Sequence, residues 1–406
     1  MLRVALSERL DWKSKAEELG FHFHTMYGEP YWDETSAYVF TLGQIETDIE
    51  DASNALHAMC LDAVEAVVAS EELMSRLGIP NGFHDFVATS WTRRDPALYG
   101  RLDLAYGGVG AAKLLEYNAD TPTSLYEAAS FQWLWLEDMR ASGALPADAD
   151  QFNGVHEAMV ARFREMLAPG SDLHFTSAKG LDEDFATVEY MAWAAKEAGL
   201  VAHYVALEDI GVTTSGQFAD GEDRVIGAMF KLYPWEDMLA DPFGAHVPTA
   251  RCRMFEPAWK ALVSNKGILP VLWRMFEGHP NLLPAFFEDD FTRGDRDVAA
   301  RIARADVAFE RGRVVKPIFS REGASVDIVT GDPALGPDGR IAAADRSYDM
   351  HPKIVQAYAP LPNMGGMFPV LGAWMVGDAC VGLGVREDAS RITQNLSRFK
   401  PHFVRG

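Results

Sequence analysis

Apolar and polar residues alternate along Tyr99-Gly100-Arg101-Leu102-Asp103-Leu104-Ala105-Tyr106 and again along Lys113–Asn118. That is the period of a half-buried strand. Gly107-Gly108-Val109-Gly110 lies between the two runs and supplies a turn, so the pattern predicts a hairpin. In a symmetric hairpin, Arg101 opposes Asn118 and Asp103 opposes Glu116. Upstream, Phe21-His22-Phe23-His24 also alternates and reads as a strand. Its two histidines are compatible with a metal pair, but with no third ligand nearby they fit strand-edge positions better. Ala37–Leu77 reads as helices, with Ile45, Ile49, Ala52, Leu56, Met59 and Val64 at helical spacing. Gly78-Ile79-Pro80-Asn81-Gly82 breaks that run, and a further helix ends near Arg93–Pro96.

Past the hairpin, Thr123 or Ser124 is placed to cap a helix, with Glu127 as its capping-box partner. Small hydroxyls before a helix N-terminus also make an anion seat. Asp150–Leu167 is amphipathic. Leu173–Ala178, Asp184–Ala198 and Val201–Ala206 read as strand, helix and strand, with Gly199 as the helix stop. Such a unit calls for a parallel sheet, and Val225–Leu232 adds a strand. Ser264-Asn265-Lys266-Gly267 opens a helix, and Phe286–Val307 reads as a helix or a solvated insertion. Arg313–Phe319 and Ser325–Val329 alternate, with Ser320–Ala324 as a short loop between them. Thr330–Ser347 is a Gly/Pro/Asp-rich connector, and Lys353–Ala359 is again a strand. Phe368–Val376 and Ala379–Val385 form a hairpin about Gly377-Asp378, with Arg386, Glu387 and Asp388 capping its end. The fold class is therefore mixed α/β with a parallel sheet.

Composition narrows the function. A chain of 406 residues with 48% hydrophobic and 24% charged residues builds a large core without staples. Cys60, Cys252 and Cys380 are scattered and odd in number, which implies neither a disulfide framework nor a zinc site and points to a reducing cytoplasm. The start carries no apolar signal core, and Met367–Val376 is too short to span a bilayer. A net charge of −22 repels nucleic acid and attracts a polycationic small molecule. Acidity also serves solubility.

The hairpin carries the candidate chemistry. Arg101 and Asp103 share a face, as do Glu116 and Asn118. Two carboxylates opposite each other are unfavourable without a cation between them. An all-oxygen set of Asp103, Glu116 and Asn118 suits Mg²⁺ with phosphate, with Arg101 on the phosphate charge. The other reading is a solvated strand face with Arg101 as internal counter-ion. Lys266 stands at a helix N-terminus, where a cation is unfavourable unless an anion joins it. Asp182, Glu183 and Asp184 stand at another, where they either complement the dipole or bind a cation.

E-Y-N-A-D-T-P-T-S after R-L-D, S-N-K-G-I-L-P, V-K-P-I-F-S-R-E-G-A-S-V and G-V-R-E-D, in that order, resemble the ATP-dependent ligase part of the glutathionylspermidine synthase family. The resemblance runs from about Phe21 to about Phe403. It implies an ATP-grasp-like fold with an additional parallel-sheet substrate domain. The expected parts are a mostly helical region over 1–100, a hairpin and substrate region over 101–260, and an ATP-binding region over 261–406 with a phosphate lid at 313–329. It implies ATP and Mg²⁺ as cofactors. Arg101, Lys266, Lys316, Ser320, Gly323 and Gln356 would face the nucleotide, Arg321 the transferring phosphoryl group, Thr121 and Thr123 the acid, and Glu183 with Asp184 the amine. The family has serines at positions 121 and 123. The implied reaction joins a peptide or small acid to an amine or polyamine through an acylphosphate. The partners expected are these small molecules, with neither nucleic acid nor membrane, and a homodimer is compatible. Bifunctional members also carry an amidase domain. The ligase pattern starts near residue 20, which leaves no room for one, so product hydrolysis is not expected. Two rival readings are a degenerate polyamine- or peptide-binding protein and an ATP-dependent phosphotransferase.

Overall fold

The computed structural model describes residues 1–332 and 339–405. Its centre is a five-stranded antiparallel sheet in the order Arg398–Lys400, Ala379–Asp388, Phe368–Val376, Tyr99–Ala105, Lys113–Asn118. The 99–118 hairpin forms with Arg101 opposite Asn118 and Asp103 opposite Glu116. Symmetry then ends. Leu104 pairs with Leu114 rather than with residue 115, so a bulge leaves Leu115 outside the ladder. The later hairpin turns at Gly377-Asp378, but its second strand runs to Asp388. Arg386 is thus a strand residue opposite Val370, not a cap. Pairing with Phe368–Val376 buries Tyr99–Ala105 in the sheet, with Trp374 opposite Arg101 and Gly372 opposite Asp103.

The expected parallel sheet is present. Its order is Arg253–Phe255, Ala228–Lys231, Asp172–Thr176, Val201–Tyr204. Asp182–Glu197 is the helix between its last two strands. A second five-stranded sheet, all antiparallel, runs Ala285–Phe287, Lys353–Ala357, Arg313–Pro317, Asp327–Val329, Arg340–Ala342. Part of the 330–347 connector is therefore a strand. It is held where Arg340 and Arg346 both donate to the buried Asp327 carboxylate, at 2.7 and 2.9 Å. Residues 333–338 of that connector lie outside the described residues. The second half of the 286–307 stretch is helical, in a helix that spans Arg296–Phe309.

Two expectations near the N-terminus change. The helices over 37–77 begin only at Gln44. Ser36–Thr41 is a strand between antiparallel Leu2–Ala5 and parallel His402–Arg405. Ala37-Tyr38-Val39-Phe40 is buried on both faces, so its apolar run carries no period to tell strand from helix. His22–His24 is a tight helical turn, not a strand. Both histidines turn onto Glu17, at 2.6 and 3.0 Å. Among the described residues no helix is long and apolar enough to cross a membrane.

One buried ion pair clamps the hairpin to the parallel sheet. Lys231, at a strand end, donates to Asp120 Oδ1 at 2.7 Å, and the Trp235 N–H donates to Oδ2 at 2.8 Å. Both side chains are excluded from solvent. Burial pushes the Asp120 carboxyl up, and Lys231 opposes that shift. Removing one partner strands a buried charge. Lys231→Met is expected to cost about 3–5 kcal/mol of stability, read from the urea midpoint. Lys231→Met with Asp120→Asn should recover part of it. A loss below about 1 kcal/mol, the range of a surface pair, would show that the clamp does not hold the two sheets.

Candidate active site

Strand alternation turns Arg101, Asp103, Glu116 and Asn118 to one face, and burial makes their charges interact. Arg101 lies along the sheet. Its Nε and Nη2 donate to Asp103 at 2.6 and 3.0 Å, and its Nη1 donates to the Thr123 carbonyl at 2.6 Å. The next strand must make room for it. A Cβ at Gly372 would come within 2.7 Å of Arg101 Cδ. The Asn118 amide donates to Asp103 at 3.1 Å and to Glu116 at 3.2 Å, tying the two carboxylates together.

Two lysines arrive from distant segments. Asn265 shapes the first approach by accepting from the Gly267 N–H at 2.7 Å and donating to the Leu77 carbonyl at 2.6 Å. Lys266 then reaches Glu116 at 3.0 Å and donates to the Ser320 carbonyl at 2.7 Å. Lys316, on its strand, donates at 2.7 Å to the carbonyl of Leu115, the residue freed by the bulge. Burial raises the Glu116 carboxyl, but Lys266 and Lys316 outweigh it and hold the group at about 2. Burial also raises Asp103, and Arg101 offsets only part. Burial pushes Lys316 down to about 7 although Glu116 pulls it up. Like charges crowded on one half-buried face thus hold unlike protonation equilibria.

Asp103, Glu116, Lys266 and Lys316 line an open cleft. Val314, Ile328, Tyr358, Leu361, Val370 and Ile392 supply its apolar wall. Ser320, Gly323 and Gln356 also line it. Gln356 donates to the Leu114 carbonyl at 3.2 Å, and the buried Ser320 Oγ has no partner. The Ser320–Ala324 loop rests on Ile392-Thr393. Gly323 has φ +71°, and a Cβ there would lie 2.5 Å from the Thr393 carbonyl oxygen. Arg321 is not gathered with the lysines. It donates to Glu236 at 3.3 Å on the exposed side of the loop.

A second cluster lies across Arg101. Thr121 and Thr123 are half-buried there, and Thr123 contributes its carbonyl to Arg101. Ser124 does not cap the helix. It has φ +67°, and its Oγ is 2.9 Å from the Tyr31 hydroxyl. Glu127 is not a capping partner either, being fully buried with one carboxyl oxygen unpartnered. Burial raises the Glu127 carboxyl. Burial, with Glu127 nearby, pushes Glu183 to about 8, opposed by Arg386. Burial pushes Asp184 to about 6, opposed by Arg321. Asp182 is exposed and stands apart. The sequence reading passed over Glu127 and Arg386 as parts of this cluster. For Arg386 the only signal was the G-V-R-E-D motif; its place on the face of Asp103 is set by the irregularity at Trp374/Met375 and by docking on strand 99–105. For Glu127 there was none, because only tertiary packing buries it.

Among the described residues no three His, Cys, Asp or Glu side chains converge on a metal position. Asp103 and Glu116 offer two hard carboxylates of the kind that suit Mg²⁺ when solvent and phosphate complete the shell, while Asn118 turns its amide nitrogen, not its oxygen, toward them.

The family model for the glutathionylspermidine synthase pre-ATP-grasp region matches residues 3–405. A putative acid–amine ligase from Haemophilus influenzae is 36% identical over 408 residues, covering 97% of each chain. The bifunctional glutathionylspermidine synthetase/amidase of Escherichia coli is 26% identical over 88% of this chain, and the match covers 58% of that protein. Trypanothione synthetase of Crithidia fasciculata is 26% identical over 83% of this chain and 52% of its own. Among solved structures, a glutathione synthetase-like effector from Globodera pallida superposes with a TM-score of 0.54 at 11% identity, covering 90% of this chain and 88% of its own, a likeness of fold. The chain belongs to the glutathionylspermidine synthase family, a family of ATP-dependent C–N ligases.

Proposed function

We propose that this protein is an ATP- and Mg²⁺-dependent carboxylate–amine ligase of ATP-grasp type, joining a peptide or small acid to an amine or polyamine. The observation that carries the reading is a single cleft. An apolar slot suited to a nucleotide base shares its walls with Lys266, Lys316, Asp103 and Glu116, and Arg386, which acts on Asp103, also acts on the acidic cluster of Glu127 and Glu183, with Asp184 beside it. The relatives named for acid–amine ligation and glutathionylspermidine synthesis support it.

In this reading the base lies between Val314, Ile328, Tyr358 and Leu361, and Gln356 stands at its edge. Lys266 and Lys316 exchange their carbonyl partners for phosphate oxygens. Asp103, Glu116 and Asn118 would hold Mg²⁺, with the Asn118 amide turned to present its oxygen. The ion would neutralise phosphate charge as it develops. A carboxylate oxygen of the acid attacks Pγ, the bond from Pγ to the bridging oxygen breaks, and ADP leaves. The amine nitrogen then attacks the acyl carbon, the carbon–oxygen bond to phosphate breaks, and the amine loses a proton. Arg101 and Arg321 screen the phosphoryl oxygens. Arg321 must leave Glu236 to do so, which is a motion of the 320–324 loop. Thr121 and Thr123 flank the acid, and Glu183 with Asp184 receives the cationic amine. Positioning and charge supply the rate, and no covalent nucleophile is needed.

ATP with Mg²⁺ at 100 times its dissociation constant should stabilise the protein by about 2.7 kcal/mol, seen as a higher Tm. An unmoved Tm at millimolar nucleotide counts against the ligase. Glu116→Gln should lower acid- and amine-dependent ADP release by roughly 100-fold or more while the chain stays folded. Near-normal turnover would make the hairpin face structural.

The amine pocket has a pH signature. Glu183 is raised from 4.5 to about 8 in the folded chain. Between those values the unfolded chain ionises the group and the folded one resists, so stability is complete below about pH 4.5 and falls as pH rises toward 8. Glu183→Gln should therefore have a higher Tm than the parent at pH 8 and an equal one near pH 4.5, while the KM for the amine rises. Parallel melting curves at all pH values would remove the buried carboxyl from the pocket.

A further inference from the structure

The helix Asp182–Glu197 buries Val188, Met191, Ala194 and Ala195 in the core beneath it. Its opposite face carries Asp182, Phe185, Glu189, Trp193 and Lys196, all exposed. Spacings of three and four residues keep the five within about 80° of arc at 3.6 residues per turn. Phe185 and Trp193 are 40% and 50% exposed, and Tyr204 on the neighbouring strand is 46% exposed. A surface helix ordinarily gives that face to polar residues. Rings gathered on it mark a contact surface. They are already held in place. Phe185 meets Tyr204 edge-on with ring centroids 5.1 Å apart, and Trp193 stacks on His156 at 4.3 Å. Little side-chain freedom is therefore left to lose on association.

The order of the five residues decides what covers them. Asp182 and Lys196 stand seven residues to either side of Glu189, and Phe185 and Trp193 stand four to either side. A second copy of the helix, laid antiparallel about a two-fold axis at Glu189, sets Asp182 against Lys196 at both ends. It also sets Phe185 against Trp193 twice, ring against ring. Only Glu189 meets its own kind. The Asp182, Glu189 and Lys196 side chains form no ion pair within the chain among the described residues, so the end charges are free to pair across the axis. A face that reads as its own complement in reverse specifies another copy of itself.

We propose that this face is the interface of a two-fold homodimer with a dissociation constant on the order of tens of micromolar. Phe185, Trp193 and Tyr204 each leave roughly 100 Å² exposed. Two copies thus bring roughly 600 Å² of ring surface together, and the flanking polar atoms carry the contact toward the about 1,000 Å² at which specific interfaces begin. Glu183 and Asp184 fall outside the arc, so the dimer does not use the carboxylates of the amine pocket. The proposal is independent of the ligase reading.

Sedimentation velocity of the full chain, from about 5 to about 200 µM, brackets that constant. The average mass should rise from the 44.8 kDa monomer toward twice that value. Trp193→Ala should keep the parent's far-UV spectrum and stay monomeric throughout. Glu189→Gln should tighten the dimer roughly three-fold or more by removing the repulsion on the axis. Lys196→Glu and Asp182→Lys should each weaken self-association roughly ten-fold, because each sets like charges together at both ends. Mixed in equal amounts, the two variants should associate about as well as the parent, because unlike charges then meet at both ends. A parent that stays monomeric at about 200 µM overturns the proposal. So does a parent dimer whose charge variants self-associate undiminished or fail to pair when mixed, since that places the interface elsewhere.

Discussion

Two carboxylates facing each other on a half-buried sheet surface repel, and much of the architecture around Asp103 and Glu116 answers that repulsion. Arg101 neutralises Asp103 from the same strand, and the Asn118 amide bridges the pair. Lys266 and Lys316 come from elsewhere to hold Glu116 ionised. Each cation needs its own scaffold: Gly372 gives Arg101 space, Asn265 shapes the turn that delivers Lys266, and the Leu115 bulge supplies the carbonyl that holds Lys316. The cost of burying like charges is thus met by groups drawn from four segments of the chain.

The same contacts couple the carboxylate-bearing sheet face to the loop above it. Lys266 touches both Glu116 and the Ser320 carbonyl, so a change in charge on the sheet face alters how the 320–324 loop is held. The loop in turn packs Gly323 against Ile392-Thr393 and offers Arg321 to Glu236. A ligand that draws Lys266 away from these partners changes how the whole loop is held. The buried, unpartnered Ser320 Oγ lies at that junction.

Across Arg101 the electrostatic sign reverses. Glu127, Glu183 and Asp184 are raised by burial, while Arg386 and Arg321 oppose the shift. A pocket whose acids resist ionisation when empty favours a cation that restores their charge. Cationic and acidic groups therefore adjoin without cancelling, because Arg101 and Arg386 stand on the sheet and the carboxylates come from helices.

Local pattern determined a good deal. Alternation alone placed Arg101 with Asp103 and Glu116 with Asn118, and the β-α-β rhythm announced the parallel sheet. The ordered motifs carried the family. What local pattern could not contain was any relation between distant segments. The bulge at Leu115 arises from pairing, and nothing in its neighbours demanded it. Ser36–Thr41 is a strand because two far-apart strands flank it, and a run buried on both faces has no period. Ser124 and Glu127 match a capping box in sequence, yet Tyr31 claims the hydroxyl and packing buries the carboxylate. Arg386 and Trp374 share the face of Asp103 only because the 368–388 hairpin docks on strand 99–105 in one register. Residue type and spacing decide which face a side chain takes. Long-range pairing and burial decide what it meets there and whether its charge survives.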